Sequence, residues 1–364
     1  LVMAGLVPAI HVFTLAAVDN EAIRRSQVSF AALEGWREDD HEAAFHALLK
    51  SCRKASSPDA VCAAAIARGD GVGRETARAF FETHYTPHAV HGAGQQGIVT
   101  GYYEPEVRGS RERDDAFQVP VYGRPHDLIM LTPDTERARF NDRITGVRET
   151  REGQVPYYTR REIDAGALSD RRLEILYLDD PVELFYMQVQ GSGLVRLRDG
   201  AAVRLTYAAK NGHPYTSIGK LLIERREIER EGMRMRAVKA WLHADPARGP
   251  ALLAENKSYV FFRELDAEEG RDGPLGVEGV ALTPGRSLAV DASYHRLGLP
   301  VFVTVPDLIV EGASFRRLMI AQDVGSAIRG PERGDLFWGT GEAAGAIAGS
   351  TNHKARFHVL LPKR

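Results

Sequence analysis

The stretch Leu318-Met319-Ile320-Ala321-Gln322-Asp323-Val324-Gly325-Ser326-Ala327-Ile328 sets one ionisable carboxylate among apolar and small residues with the character of a buried strand. Burial disfavours the charged form of a carboxyl group and raises its pKa. An acid that keeps its proton near neutral pH can protonate a leaving oxygen. Gly325 and Ser326 are small and leave room for a substrate to approach. A buried Asp can also cap a turn or pair with an arginine, because structural networks perturb carboxylates too. Two more aspartates surround it in sequence. Asp291 follows the strand-like Ser287–Val290, and Asp335 lies twelve residues beyond Asp323.

Other polar clusters sit near glycines. In Thr100-Gly101-Tyr102-Tyr103-Glu104-Pro105, two adjacent Tyr end a short strand. Such rings stack on sugars while their hydroxyls find partners, or one ring lies in a core and the other outside. Gln188-Val189-Gln190-Gly191-Ser192-Gly193 has the pattern of a strand running into a turn. Its glycines permit close backbone approach to a ligand, or mark a bulge. The run Tyr207–Tyr215 gathers Lys210, Asn211 and His213 into one expected loop, and such loops often carry function. Gly339-Thr340-Gly341 lacks the rest of a nucleotide-binding fingerprint. Cys52 and Cys62 are ten residues apart around Pro58, as two small buried thiols or as one disulfide. The histidines are scattered, and no Cys-x-x-Cys suggests a metal.

These residues need a scaffold, and composition bounds it. A chain of 364 residues suggests two domains. A net charge of −2 with interspersed signs leaves no electrostatic footprint for nucleic acid. No apolar run reaches the roughly 20 residues that span a bilayer. Leu1–Ala17 is apolar but carries Pro8 and His11 and no basic region, as in a signal remnant or an unstructured leader. No Cys near it could carry a lipid. Residues from Asp19 to about Ala89 have helical spacing: Phe45, Leu48, Leu49 and Cys52 form one stripe, with Asp39 and Asp40 as caps. Ala77, Phe80, Phe81 and Tyr85 form another. From Gly97 short strands prevail, including a hairpin in which Val195, Leu197, Val203 and Leu205 alternate with polar residues around Asp199-Gly200. Helices return at Ser217–Arg226 and Met235–Leu242, and strands at Tyr259–Phe262, Val301–Val303 and Phe357–Leu361. The expected fold class is mainly β with peripheral helices.

Five motifs in order resemble the membrane-bound lytic murein transglycosylase A family. They are Gly101-Tyr102-Tyr103-Glu104-Pro105, Arg161–Leu168, Val189–Gly193, Lys210-Asn211-Gly212-His213 and Asp323–Ile328. The part with Asp291, Asp323 and Asp335 resembles the 3D domain, named for three aspartates. The resemblance covers about Gly97 to Pro362. It implies a double-psi β-barrel domain with a smaller inserted β-barrel domain, and a glycan in the groove between them. On this sequence the leader would be 1–18, the main domain 19–105 and 218–364, and the insert 106–217. The family cleaves the β-1,4 bond between N-acetylmuramic acid and N-acetylglucosamine and leaves a 1,6-anhydromuramyl end. By resemblance Asp323 is acid and then base, and Asp291 and Asp335 are supporting carboxylates. Thr100, Tyr102, Tyr103, Gln190, Ser192, Lys210, Asn211 and His213 would hold the sugar chain. No cofactor, metal or nucleic acid is implied. The implied partners are peptidoglycan glycan strands, with association to the outer membrane or to cell-wall enzyme complexes, for a monomer. Export to the periplasm follows from the substrate, and an oxidising compartment would pair Cys52 with Cys62. Two rival functions are a non-catalytic glycan-binding barrel and a muramidase in which Asp335 or Asp291 activates water.

Overall fold

The computed structural model describes residues 24–92, 97–131, 138–140 and 143–363. The expected leader, 1–18, lies outside them. The chain divides into two units. A terminal unit holds the residues up to Tyr103, Glu269–Gly339 and those from Ala343 onward, and a middle unit holds Glu104–Glu268 and Thr340–Glu342.

The terminal unit begins with β1 (Arg24–Gln27), α1 (His41–Lys54), α2 (Ala60–Arg68), α3 (Arg74–His84), β2 (Tyr85–His91) and β3 (Gly97–Glu104). Asp40 caps α1 by accepting from the Ala43 amide, and Asp59 caps α2 by accepting from that of Cys62, which satisfies amides that a helix start leaves unpaired. The stripes expected from spacing are the buried faces: Phe45, Leu48, Leu49 and Cys52 of α1 and Ala77, Phe80 and Phe81 of α3 share one core. Phe302, Leu318 and Ile320 join that core, so the helices cover part of a sheet. A disulfide joins Cys52 to Cys62, with 4.9 Å between their Cα atoms. Closing so short a loop contributes roughly 2–3 kcal/mol.

The middle unit contains β4 (Glu106–Ser110), β5 (Val119–Tyr122), β6 (Ile129–Met130), β7 (Gly146–Thr150), β8 (Gly153–Pro156), β9 (Glu174–Leu178), α4 (Pro181–Gln190), β10 (Ser192–Leu197), β11 (Ala202–Lys210), α5 (Ile218–Glu224), α6 (Met235–His243), α7 (Arg248–Leu253) and β12 (Val260–Glu264). Six strands pair in the order β12-β11-β10-β4-β9-β5, and a bridge between Gly123 and Phe262 brings the two edges together. The expected hairpin is present: β10 and β11 are antiparallel, with Val195 opposite Val203.

Two expectations change here. Gln188–Gln190 end α4 rather than a strand, and Gly191, at φ +82°, stops the helix in the left-handed conformation that glycine tolerates. The helical period of α4 is hidden because the helix is apolar on several sides. Leu184 and Met187 enter the barrel core, while Val182, Phe185, Tyr186 and Val189 enter a helical core with α5–α7. Tyr207–Lys210 belong to β11, so the expected loop shortens to Asn211–Tyr215. The compact middle unit extends past residue 217. The unit runs to Glu268, because α5–α7 pack on α4 and β12 pairs with β11.

The chain returns to the terminal unit with β13 (Ser287–Val290), β14 (Pro300–Val310), β15 (Ala313–Val324), β16 (Arg333–Thr340), α8 (Glu342–Ser350) and β17 (Asn352–Pro362). The sheet order is β1-β2-β17-β14-β15-β13-β16-β3, and a further pairing of β17 with β3 closes six of these strands into a barrel. Its β13–β15 pair is parallel, while β13–β16 is antiparallel. The fold is mainly β with helices outside the sheets.

Candidate active site

Asp323 lies near the end of β15, and Asp335 near the start of β16. Both are paired in register with Ala289 of the intervening β13. The two carboxylates therefore sit at one level of the barrel, two strands apart, or roughly 10 Å between backbones. Asp291 follows two residues beyond Ala289, at the end of the same strand.

Asp323 is 4% exposed. Its Oδ2 accepts from the Tyr102 hydroxyl at 3.0 Å, and its Oδ1 accepts from the amides of Val277 and Val324, each at 3.0 Å. Among the described residues no basic side chain pairs with it. Burial pushes its carboxyl up to about 6, against the pull of those three donors. That is a group able to hold a proton and also to lose it near neutral pH. Tyr102 is fixed in turn by the Phe337 ring, 5.2 Å away between centroids. Gly101 lets this strand approach Trp338: a Cβ there would lie 2.6 Å from Trp338 Nε1.

Asp335 is wholly buried, and Thr100 Oγ1 donates to its Oδ1 at 2.8 Å. Its Oδ2 is buried with no hydrogen-bond partner among the described residues. Burial pushes this carboxyl up to about 7, although Arg333 and Thr100 oppose that, and the nearby Asp323 adds to it. Arg333 Nη2 donates to Thr100 Oγ1 at 2.8 Å, so an arginine, a threonine and an aspartate form one chain of contacts. Thr100 is thereby committed to Asp335. Asp291 has a different part. It accepts from the Ser293 amide and hydroxyl, and its Oδ2 accepts from the Gly330 amide at 2.8 Å. It ties down the loop that follows Asp323.

Both Tyr102 and Tyr103 are buried, at 3% and 4% exposure, so neither points outward as one alternative had it. The Tyr103 ring packs on α8, where a Cβ on Gly345 would come within 2.8 Å of it.

The remaining sequence candidates belong to the middle unit. Gln190 ends α4 and Ser192 begins β10, each 8% exposed. Lys210 ends β11 and is half-buried. Asn211 is fully buried; its amide donates to the Tyr158 and Lys257 carbonyls, and its Oδ1 accepts from the His213 and Tyr259 amides. Those bonds use the side chain's capacity. Asn211 holds its loop in place through these bonds. His213 Nε2 donates to the Tyr157 carbonyl at 2.7 Å, and burial lowers its pKa. It borders a cavity of about 550 Å³ with Arg148, Tyr158 and Glu162.

Sequence reasoning passed over several residues that build these units. Arg160 is buried and donates to Gln188 and to the Asn256 and Ser258 carbonyls. Thr159 and Glu162 flank it with reciprocal capping bonds. Arg204 grips the fully buried Glu104 through two bonds of 2.7 and 3.0 Å, and Thr340 adds a third at 2.7 Å. The alternation that revealed the β10–β11 hairpin put Arg204 among the outward residues and so hid this pair.

Residues 98–263 match the MltA specific insert domain, and residues 286–361 match the 3D domain. The membrane-bound lytic murein transglycosylase A of Vibrio cholerae is 36% identical over 277 residues, covering 74% of this chain and 67% of the relative. That of Escherichia coli K12 is 35% identical over 281 residues, covering 74% and 68%. Among solved structures, a membrane-bound lytic murein transglycosylase from Agrobacterium tumefaciens superposes with a TM-score of 0.83 at 37% identity, covering 93% of this chain and 97% of that one. Escherichia coli MltA with bound chitohexaose superposes with a TM-score of 0.69 at 30% identity, covering 89% and 90%. With its buried aspartates on a closed barrel and relatives that match along most of its length, this chain belongs to the membrane-bound lytic murein transglycosylase A family.

Proposed function

We propose that the protein is a peptidoglycan lytic transglycosylase that cleaves the β-1,4 bond between N-acetylmuramic acid and N-acetylglucosamine and leaves a 1,6-anhydromuramyl end. The observation that carries this reading is Asp323: buried, unpaired with any cation among the described residues, and held up to about 6 by burial. Its proton passes first to the glycosidic oxygen as that bond breaks. The carboxylate then takes the proton of the muramyl C6 hydroxyl as that oxygen closes on C1. The attacking group is part of the substrate, so one carboxyl does both steps, where water-using glycosidases need two. Tyr102 and the Val277 and Val324 amides orient the carboxyl and stabilise it once ionised. Tyr103, Gln190, Ser192, Lys210 and His213 take part in glycan binding, and Thr100 acts through Asp335. The named relatives are called membrane-bound, and the substrate lies in the cell envelope, where the Cys52–Cys62 disulfide is stable.

A water-using muramidase needs a second carboxylate able to act as base. Asp335 is wholly buried and already accepts from Thr100, and Asp291 is occupied by Ser293 and Gly330. Both facts favour the intramolecular route. Mass spectrometry of products from purified sacculi decides the matter. The expected muropeptides lack one water relative to hydrolysed ones; a digest with only reducing ends refutes the anhydro product.

A further inference from the structure

The loop before β13 presses against Asp323 and has its own anchor on α1. Residues Leu275 and Ala281 form an isolated bridge, and the turn between them lies on the end of β15. Gly276 comes so close to that strand that a Cβ would lie 2.4 Å from the Gln322 carbonyl oxygen. The next amide, Val277, donates to Asp323 Oδ1, and the Glu278 amide donates to the Gln322 carbonyl at 3.3 Å. The Glu278 side chain faces away from the carboxylate and accepts from Ser51 Oγ at 2.6 Å. Ser51 Oγ also accepts from Gln322 Nε2 at 2.9 Å, and the same amide donates to the Ala47 carbonyl. The turn and the residue before Asp323 are thus fastened to one point on α1, next to Cys52.

We propose that Glu278 is a positioning residue for the acid: through Ser51 it clamps the turn whose Val277 amide sets the orientation and acidity of Asp323. The proposal rests on Asp323 being the acid. Burial pushes the Glu278 carboxyl up to about 7, against the Ser51 bond and the Arg296 charge, so a neutral amide is a close substitute for it. Removing the clamp lets the turn drift and weakens an amide bond to the carboxylate, and such a bond favours the ionised form.

The test compares Glu278→Ala, Glu278→Gln and Asp323→Asn in the full chain, with muropeptide release from sacculi followed against pH. Expected for Glu278→Ala is a fall in kcat of about 10- to 100-fold with KM little changed, the size seen when a reacting group is displaced slightly. The limb of the pH profile belonging to Asp323 should move to higher pH, which a general loss of stability would not produce. Glu278→Gln, which still accepts from Ser51, should restore both. Ser51→Ala serves as the second route if Glu278→Ala does not fold, and should show the same split and shift. An inactive Asp323→Asn beside Glu278→Ala, or Ser51→Ala, at wild-type kcat and pH profile overturns the clamp. An active, folded Asp323→Asn overturns the acid assignment instead.

Discussion

Glu104 and Asp323 are both buried carboxyl groups on strands, one in the middle unit and one in the terminal unit, and their charges are handled differently. Glu104 has a bidentate arginine and a threonine hydroxyl. Among the described residues, Asp323 has only a phenol and two backbone amides. Burial raises the pKa of both. For Glu104 the Arg204 cation works against that rise and makes an ion pair that belongs to the architecture. For Asp323 no cation among the described residues does, so the group can hold a proton and, on the proposed mechanism, pass it to a substrate. On the proposed mechanism, the difference is how a fold separates a structural carboxylate from a chemical one: by withholding the cation, with burial in both cases.

The largest effect expected from this contrast is on rate. Asp323→Asn should keep the fold and lose activity by on the order of 10²–10⁴, or more if the same group is also the base. Glu104→Gln should leave the pH profile of cleavage unchanged. Turnover assays on both variants, with circular dichroism to verify folding, break the comparison if Asp323→Asn remains near normal.

Next in size is stability. Arg204→Leu strands a buried carboxylate without its partner, a loss of about 3–5 kcal/mol in comparable cases. Denaturant unfolding should show it. A variant as stable as the wild type would mean that Glu104 is neutral in the folded protein and that the two sites are alike.

The smallest effect is a slope with pH. In the folded protein Asp323 and Asp335 hold protons that an unfolded chain releases above the ordinary value of 3.8. Stability from these groups is greatest below that value and declines as pH rises through about 6 and about 7. kcat/KM should also fall above about 6 as Asp323 loses the proton it must donate. Thermal melts and initial rates across this window sharpen the contrast. A rate that rises through it would remove Asp323 from the role of acid.

Much of this was legible in the sequence where a pattern has one cause. Asp323 among apolar neighbours implied a buried strand carboxylate, and β15 places it there. The helical stripes of α1 and α3 and the Asp199-Gly200 hairpin follow from periodicity that one-sided burial imposes. Legibility failed where burial has several sides. Nothing in Val182–Gln190 distinguishes a helix packed between two cores from a strand. Local patterns also cannot show pairs formed across the fold: Glu104 with Arg204 is separated by 100 residues and Ser51 with Glu278 by 227. The backbone bonds of Asn211 were equally hidden, because a loop amide that binds a ligand and one that binds its own backbone look the same in a sequence.

The connections around Asp323 also set what its enclosed setting depends on. Its phenolic partner lies 221 residues earlier in the chain, the Thr100–Asp335 bond spans 235, and Gln322 reaches back 275 residues to Ala47. The ring of strands that carries these groups closes only when β17 pairs with β3 and β14. A chain that stops before β17 cannot make those pairings, so the ring stays open around Asp323. On the proposed role of Asp323, a chain cut before β17 should therefore fail to cut the wall even though it keeps every residue of the site.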